Sequence, residues 1–207
     1  MNENWYDKHI LPHLIDLTCG TRPIRRQREK VVPLAHGRVL EIGIGSGLNL
    51  PHYDRARVSQ LVGLDPALQL HRLARRRLAE TGLTLELIGL SAEKIPQADA
   101  SFDTIVITYT LCSIPDPEAA LAEMRRVLKP GGQLIYSEHG RAPDRQVAHW
   151  QDRLTPYWKR FSGGCHLNRD IPALLVTSGF NVDGMKSMYL PGFRPLSYHY
   201  WGVAQAT

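Results

Sequence analysis

Paired cysteines, long apolar runs and a strong charge of one sign are all missing from this chain of 207 residues. Its three cysteines, Cys19, Cys112 and Cys165, are an odd number set far apart, with no C-x-x-C pair. That excludes a disulfide framework and a zinc-ribbon spacing, and leaves reduced thiols in a cytoplasmic protein as the expectation. The longest uncharged apolar-rich run, Thr104 to Pro115, has 12 residues, short of the ~20 that a spanning helix needs. Met1-Asn2-Glu3-Asn4-Trp5 lacks the basic region and apolar stretch of an export signal, so neither export nor a membrane span is expected. Lys and Arg number 25 against 20 Asp and Glu, a net +5 that is dispersed along the chain. Two basic groups, Arg22, Arg25, Arg26, Arg28 and Lys30, then Arg72, Arg75, Arg76 and Arg77, read as solvent-exposed helix faces. Neither is interleaved with stacking aromatics, which excludes nucleic acid as the main partner. With 43% apolar and 22% charged residues, the chain suits one globular domain with a full core.

Short β-rich runs alternate with helical stretches, which predicts a parallel sheet covered by helices on both faces. Strands are expected at Arg38–Ile42, Leu61–Asp65, Leu83–Ile88, Phe102–Tyr109 and Gln133–His139. Between them, helices are expected at Ala67–Glu80, behind Pro66, and from Asp116-Pro117 to Leu128, with a turn at Lys129-Pro130-Gly131-Gly132. Residues 141 to 167 show weak periodicity and read as an insertion. A helix over Asn168–Ser178 and two late strands, Phe180–Tyr189 and Tyr198–Ala206, complete the pattern. Ahead of the sheet, Trp5, His9, Leu11, Leu14 and Ile15 predict an amphipathic helix covering the mouth of a site. The organisation is one domain over 1–207: a lid (1–30), a core (38–139), and an acceptor-side insertion with a C-terminal hairpin (140–207).

Glu41-Ile42-Gly43-Ile44-Gly45-Ser46-Gly47 stands at a strand-to-helix turn. Glycines there let the backbone adopt positive φ and approach a ligand with its amides pointing outward. A dinucleotide fingerprint would want Gly or Ala three residues after Gly45, where this chain has Leu48, so a ligand without a pyrophosphate fits better. Asp65 follows Glu41 by 24 residues, at the end of the next strand, where an acid can accept both ribose hydroxyls of an adenosine. It can equally cap the helix behind Pro66. Ser91-Ala92-Glu93 falls after the third strand, where a loop could read an adenine edge. Three such elements at three successive strand ends point to one ligand crevice.

These motifs, with Ser101-Phe102-Asp103 and Arg126-Val127-Leu128-Lys129-Pro130-Gly131-Gly132, resemble the class I S-adenosylmethionine-dependent methyltransferases, in the branch of the ubiquinone/menaquinone-type enzymes. The resemblance covers Arg38 to Glu138. Asn49-Leu50-Pro51-His52-Tyr53, Leu111-Cys112-Ser113-Ile114-Pro115-Asp116, Glu138-His139-Gly140 and Gly163 to Asp170 resemble a narrower group that contains animal alkyl-thiol methyltransferases and many bacterial proteins. The resemblance implies a Rossmann-like seven-stranded sheet, six strands parallel and the last antiparallel, and S-adenosylmethionine as cofactor. It implies a cofactor set of Glu41, Gly43, Gly45, Gly47, Asn49, Asp65, Pro66, Ala92, Glu93, Thr108 and Tyr109. Glu41 and the glycine turn would hold the methionine part, Asp65 the ribose, and Ala92 with Glu93 the adenine. Thr108 and Tyr109 would form a floor beneath the sulfonium. Ser91 stands where many relatives carry Asp, which leaves the adenine contact to backbone or a neighbour.

A small thiol or hydrosulfide is the expected acceptor, with a phenol, quinol or phospholipid amine as the alternative. His139, and after it His166, is the candidate general base; each is equally readable as a structural histidine. Trp150, Trp158 and Phe161 could wall the acceptor pocket or form the core of a small subdomain. Cys165 and His166 with His139 and Cys19 lack ligand-pair spacing, so no metal site is expected. Cys112 reads as a buried structural thiol. A non-catalytic cofactor-binding module remains the competing class, and a homodimer is compatible with the sequence.

Overall fold

Strands β1 (Gly37–Ile42), β2 (Val58–Leu64), β3 (Leu85–Ile88), β4 (Phe102–Thr108) and β5 (Leu128–His139) pair in parallel in the computed structural model, which describes residues 5–6 and 10–207. Their spatial order is β3-β2-β1-β4-β5. The alternation of apolar side chains explains how both faces are covered. Leu40, Ile42, Val62, Ile105, Ile107 and Leu134 enter one core cluster, while Val39, Leu61, Val106 and Ile135 enter a second. Successive residues of each strand therefore feed opposite layers, as a doubly covered parallel sheet requires. The helices are α1 (Leu11–Cys19), α2 (Arg22–Val31), α3 (His71–Leu78), α4 (Pro117–Val127), α5 (Arg145–Phe161) and α6 (Ile171–Thr177). Asp116 and Asp170 cap α4 and α6, each accepting the amide three residues on.

The sheet has eight strands where seven were expected. β8 (Tyr198–Ala206) runs antiparallel to β5, and its other edge pairs with two short strands, β6 (Phe180–Asn181) and β7 (Lys186–Tyr189). One expected strand, Phe180–Tyr189, is broken by an Asx turn in which the Asp183 amide donates to Asn181 Oδ1 at 2.9 Å.

Three other expectations are corrected. The helix behind Pro66 starts late, at His71, because Asp65 Oδ1 takes the Ala67 amide at 2.8 Å and holds Ala67 outside helical geometry. Lys129–Gly132 lies within β5 as an irregular stretch, with Gly131 at φ +76° and the register against β4 shifting across it from Phe102–Leu128 to Thr104–Gln133. Residues 145–161, read as part of an insertion, form the 17-residue helix α5, with Pro156 inside it. The Thr155 hydroxyl bonds Gln151 O at 2.6 Å just before that proline. Gln151 anchors the helix, donating to Gly140 O and Pro195 O and accepting the Ala142 amide. Trp150 (52% exposed) and Phe161 (67% exposed) do not form a subdomain core.

The order of strands reverses between β1 and β4, and the carboxyl ends there open a crevice where open α/β sheets bind ligands.

Candidate cofactor and acceptor site

A cavity of about 260 Å³ occupies that crevice, with Gly43, Gly45, Asp65, Ala92, Tyr109 and Ser113 in its wall. Pro66 also lines it. Asp65 is buried; its Oδ2 accepts the Gly45 amide and its Oδ1 the Ala67 amide, both at 2.8 Å. Burial raises its pKa, and these two amides work against the rise. Gly45 has φ +52° and nothing nearer than 3.8 Å to where a Cβ would stand, so it leaves open the space beside Asp65. Gly47, with φ +80°, does a different job: a Cβ there would meet Leu50 at 2.6 Å and the Ala74 backbone at 3.0 Å. It packs the turn against α3.

Glu41 lies beneath the turn. It is 2% exposed, and it accepts from Asn49 Nδ2 at 2.9 Å and from the Tyr53 hydroxyl at 2.8 Å. Burial lifts its pKa to about 7. Arg28, read from sequence as an exposed arginine, is in fact 5% exposed. It donates to Asn49 Oδ1 at 2.8 Å and to Thr108 Oγ1, and its guanidinium lies 5.0 Å from the Tyr109 ring centre. Its Nε is buried without a partner. Thr108 is therefore tied into this network and does not line the cavity, whereas Tyr109 does. Tyr109 takes φ +55°, a rare conformation for a side-chain-bearing residue, held as its amide donates to Ser137 O at 3.0 Å. At the adenine end Ala92 lines the wall, but Glu93 turns to the Ser91 hydroxyl and the Asp116 amide.

Helix α1 covers the crevice, with Ile15 in the cavity wall. His9, assigned to the same helix from sequence, lies outside the described residues. Arg77 of α3 bonds both Asp16 and Ser46 O.

On the far side, His139 ends β5 with its Nε2 3.2 Å from Cys165 Sγ. Cys112 joins them, and the three donor atoms lie within 4.8 Å of one another. Cys112 is held well below its ordinary pKa by a hydrogen bond with Cys165 and the charge of His139, against burial; that same bond raises Cys165. For His139, burial disfavours the charged form, but the charges of Cys112 and Glu138 outweigh it and raise the pKa. Glu138 is fully buried, accepts the Thr110 and Leu111 amides, and is lifted by burial to about 8. Cys112 is thus buried, as expected, but grouped with two reactive side chains. His166 goes elsewhere: its Nδ1 is 3.2 Å from Cys112 O, and it lines a separate surface groove with Arg169 and Asp170. A separate groove of about 940 Å³ beside Trp150 and Phe193 shares no residue with the crevice.

Residues 40–136 match the family described as Methyltransferase domain. Thiol S-methyltransferase TMT1B of Homo sapiens is 34% identical over 177 residues, 82% of this chain and 72% of that protein. The chain belongs to the S-adenosylmethionine-dependent methyltransferases. The rat TMT1B is 38% identical over 136 residues, 64% of this chain and only 55% of that protein. Demethylmenaquinone methyltransferase of Thermus thermophilus is 32% identical over 130 residues, 62% of this chain and 59% of that enzyme. A SAM-dependent methyltransferase from Aquifex aeolicus superposes with TM-score 0.63 at 18% identity, over 95% of this chain and 98% of that one, which establishes the fold. The crevice fits the cofactor of this methyltransferase family. Asp65 is a buried acid with lone pairs to spare and Gly45 keeps its surroundings clear; Arg28, whose Nε is buried without a partner, lines a separate cavity with Cys19 and Leu48 and reaches the crevice only through its contacts with Thr108 and the Tyr109 ring. No helix among the described residues is long and apolar enough to cross a membrane.

Proposed function

We propose that this methyltransferase transfers the methyl group of S-adenosylmethionine to a small thiol. The observation that carries the reading is the sulfur-and-imidazole cluster of Cys112, His139 and Cys165 beside the cofactor crevice. Two relatives named thiol S-methyltransferase, at 34% and 38% identity, support it. When bound, S-adenosylmethionine supplies an electrophilic methyl on a cationic sulfur. Transfer to an acceptor thiolate would leave a thioether and S-adenosylhomocysteine.

The chain's own groups align and protect that exchange. Asp65 accepts from the ribose, Gly43 and Gly45 let the backbone close on the ligand, and Arg28 holds the methionine carboxylate. Glu41 sets the turn through Asn49 and Tyr53. Helix α1 acts as a lid that excludes water. A thiol with a free pKa of ~8.5 is mostly protonated at neutral pH, so its proton has to leave. The cluster at the end of β5 is the group of side chains that governs this, with His139 at its centre; His166 faces another groove and takes no part. Three unpaired cysteines suit a reducing compartment such as the cytoplasm.

The test is release of S-adenosylhomocysteine with a panel of small thiols, phenols, quinols and phospholipid amines, run across pH for the parent and for His139→Ala. Methylation of thiols, with the acid limb displaced in the variant, is expected. Turnover of a phenol or quinol with every thiol inert would overturn the acceptor, and an unchanged acid limb would remove His139 from the reaction.

A further inference from the structure

Cys112, His139 and Cys165 come from three separate pieces of chain: the turn after β4, the last residue of β5, and the segment between α5 and α6. Their donor atoms all lie within 4.8 Å of one another, with Cys165 Sγ 3.2 Å from His139 Nε2. A tetrahedral zinc ion with Zn–S of ~2.3 Å and Zn–N of ~2.0 Å needs donors separated by roughly 3.5–3.8 Å. The three atoms thus already surround a space of the right size, and small rotations about Cys χ1 would complete it. Two thiolates and a neutral imidazole would balance a dication, so the buried cluster would carry no net charge. Soft sulfur donors with one imidazole select zinc over magnesium or calcium.

The Nδ1 of His139 is buried without any hydrogen-bond partner, as is Oε2 of the neighbouring Glu138. The ring lies tilted 6.3 Å from that of His199, and among the described residues its hydrogen-bonding contacts are with cluster sulfur. Among the described residues no fourth Cys, His, Asp or Glu joins the group. Three protein donors with a vacant position are the arrangement of reactive zinc sites, whereas structural sites close the fourth. The vacancy also adjoins the crevice: Ser113, next to Cys112, and Gly163, two residues before Cys165, both line the cofactor cavity.

We propose that Cys112, His139 and Cys165 form a zinc site whose fourth position takes the acceptor thiol. The thiol binds as a thiolate and gives its proton to water, so the metal takes over the activation that a free imidazole would otherwise provide. His139 is then a ligand. Only this last step rests on the thiol reading; metal binding is tested without any acceptor.

Untagged protein, stripped with a chelator and kept reduced, is titrated with Co²⁺ alone and, separately, with Zn²⁺ alone against a chromophoric chelator. One equivalent of Co²⁺ should bind with the visible and thiolate charge-transfer bands of a tetrahedral sulfur site, and one equivalent of Zn²⁺ should displace it. Cys112→Ser, Cys165→Ser and His139→Ala should each weaken binding by about a hundredfold or more, while Cys19→Ser, outside the cluster, binds as the parent does. Circular dichroism checks that each variant is folded. Absence of a stoichiometric band in folded parent protein overturns the site, as does a band that survives Cys112→Ser and Cys165→Ser together. Zinc binding without thiol turnover would leave the site standing and overturn the acceptor reading. Equal thiol turnover with and without zinc would leave the acceptor standing and remove the metal from the reaction.

Discussion

Arg77 on α3 donates to both carboxylate oxygens of Asp16 on α1, at 2.8 and 3.0 Å, and also holds Ser46 O inside the glycine turn at 2.7 Å. One guanidinium therefore fastens α1 to the glycine turn. Both side chains are about a quarter exposed, 30% and 24%, so the bidentate pair has some protection from water and salt. Arg77→Met should cost about 1 kcal/mol of cofactor affinity, roughly fivefold. Hydrogen exchange across residues 11–19 should quicken in the same variant. Unchanged exchange would make α1 a fixed element held by its apolar contacts alone.

The two glycines that flank Ser46 should fail in different ways. Gly47→Ala drives a methyl into Leu50 and the Ala74 backbone at positive φ, so a stability loss of about 1–3 kcal/mol is expected in thermal unfolding. Gly45→Ala meets no atom closer than 3.8 Å, so its main effect should fall on cofactor affinity, with a smaller drop in melting temperature. Titration calorimetry beside differential scanning calorimetry separates the two, and equal melting losses would contradict the assignment.

Arg28 and Asp65 are assigned to opposite ends of the cofactor. Arg28→Met should weaken S-adenosylhomocysteine binding by about 2 kcal/mol, near thirtyfold, and leave adenosine binding almost unchanged, because adenosine lacks the carboxylate. Asp65→Ala should weaken both ligands by about 1–3 kcal/mol. Calorimetric titration of each variant with each ligand gives four affinities. Equal losses of both ligands in Arg28→Met would place the arginine elsewhere.

Burial lifts Glu41 to about 7 and Glu138 to about 8, against ~4.3 in an unfolded chain. Between those values the folded protein keeps a proton that the unfolded chain has released. The contribution of each group to stability is therefore greatest below about pH 4 and is lost as pH rises toward its folded value. For Glu41, with Tyr53, Asn49 and Arg28 around it, the loss between pH 5 and pH 8 should reach about 2–3 kcal/mol. Glu41→Gln should remove that slope, and urea unfolding of parent and variant at both pH values measures the difference. Parallel pH profiles would show that Glu41 titrates as it does in water.

Much of the crevice was legible because its signals are local. The glycines, Asp65 and Ala92 each sit at the end of a strand whose apolar run marks it, and the order of strands then brings them together. The Cys–His–Cys cluster was not legible, because its members are 27 and 26 residues apart and no period links them. Only the course of β4 and β5 and the return of the chain after α5 make them neighbours. Arg28 was lost in a basic run: nothing in Arg25-Arg26-Gln27-Arg28-Glu29-Lys30 shows which arginine turns inward beside Val31 and Val32. Helix α5 was hidden by Pro156 and by aromatic residues that face solvent, where periodicity expects polar ones. Glu93 follows β3 and Thr108 ends β4, as expected, but hydrogen bonds to Asp116, Asn49 and Arg28 turn them from the cavity.

β8 follows every other strand in the chain, yet in space it lies inside the sheet, between β5 on one side and β6 with β7 on the other. During synthesis the edge of β5 from Gln133 to His139 thus waits unpaired while some 60 further residues are made, and β6 and β7 emerge with no strand to join. An open edge of this kind invites pairing with other chains. The hazard for this protein is therefore greatest on the ribosome, and it ends only when Tyr198–Ala206 slides into place.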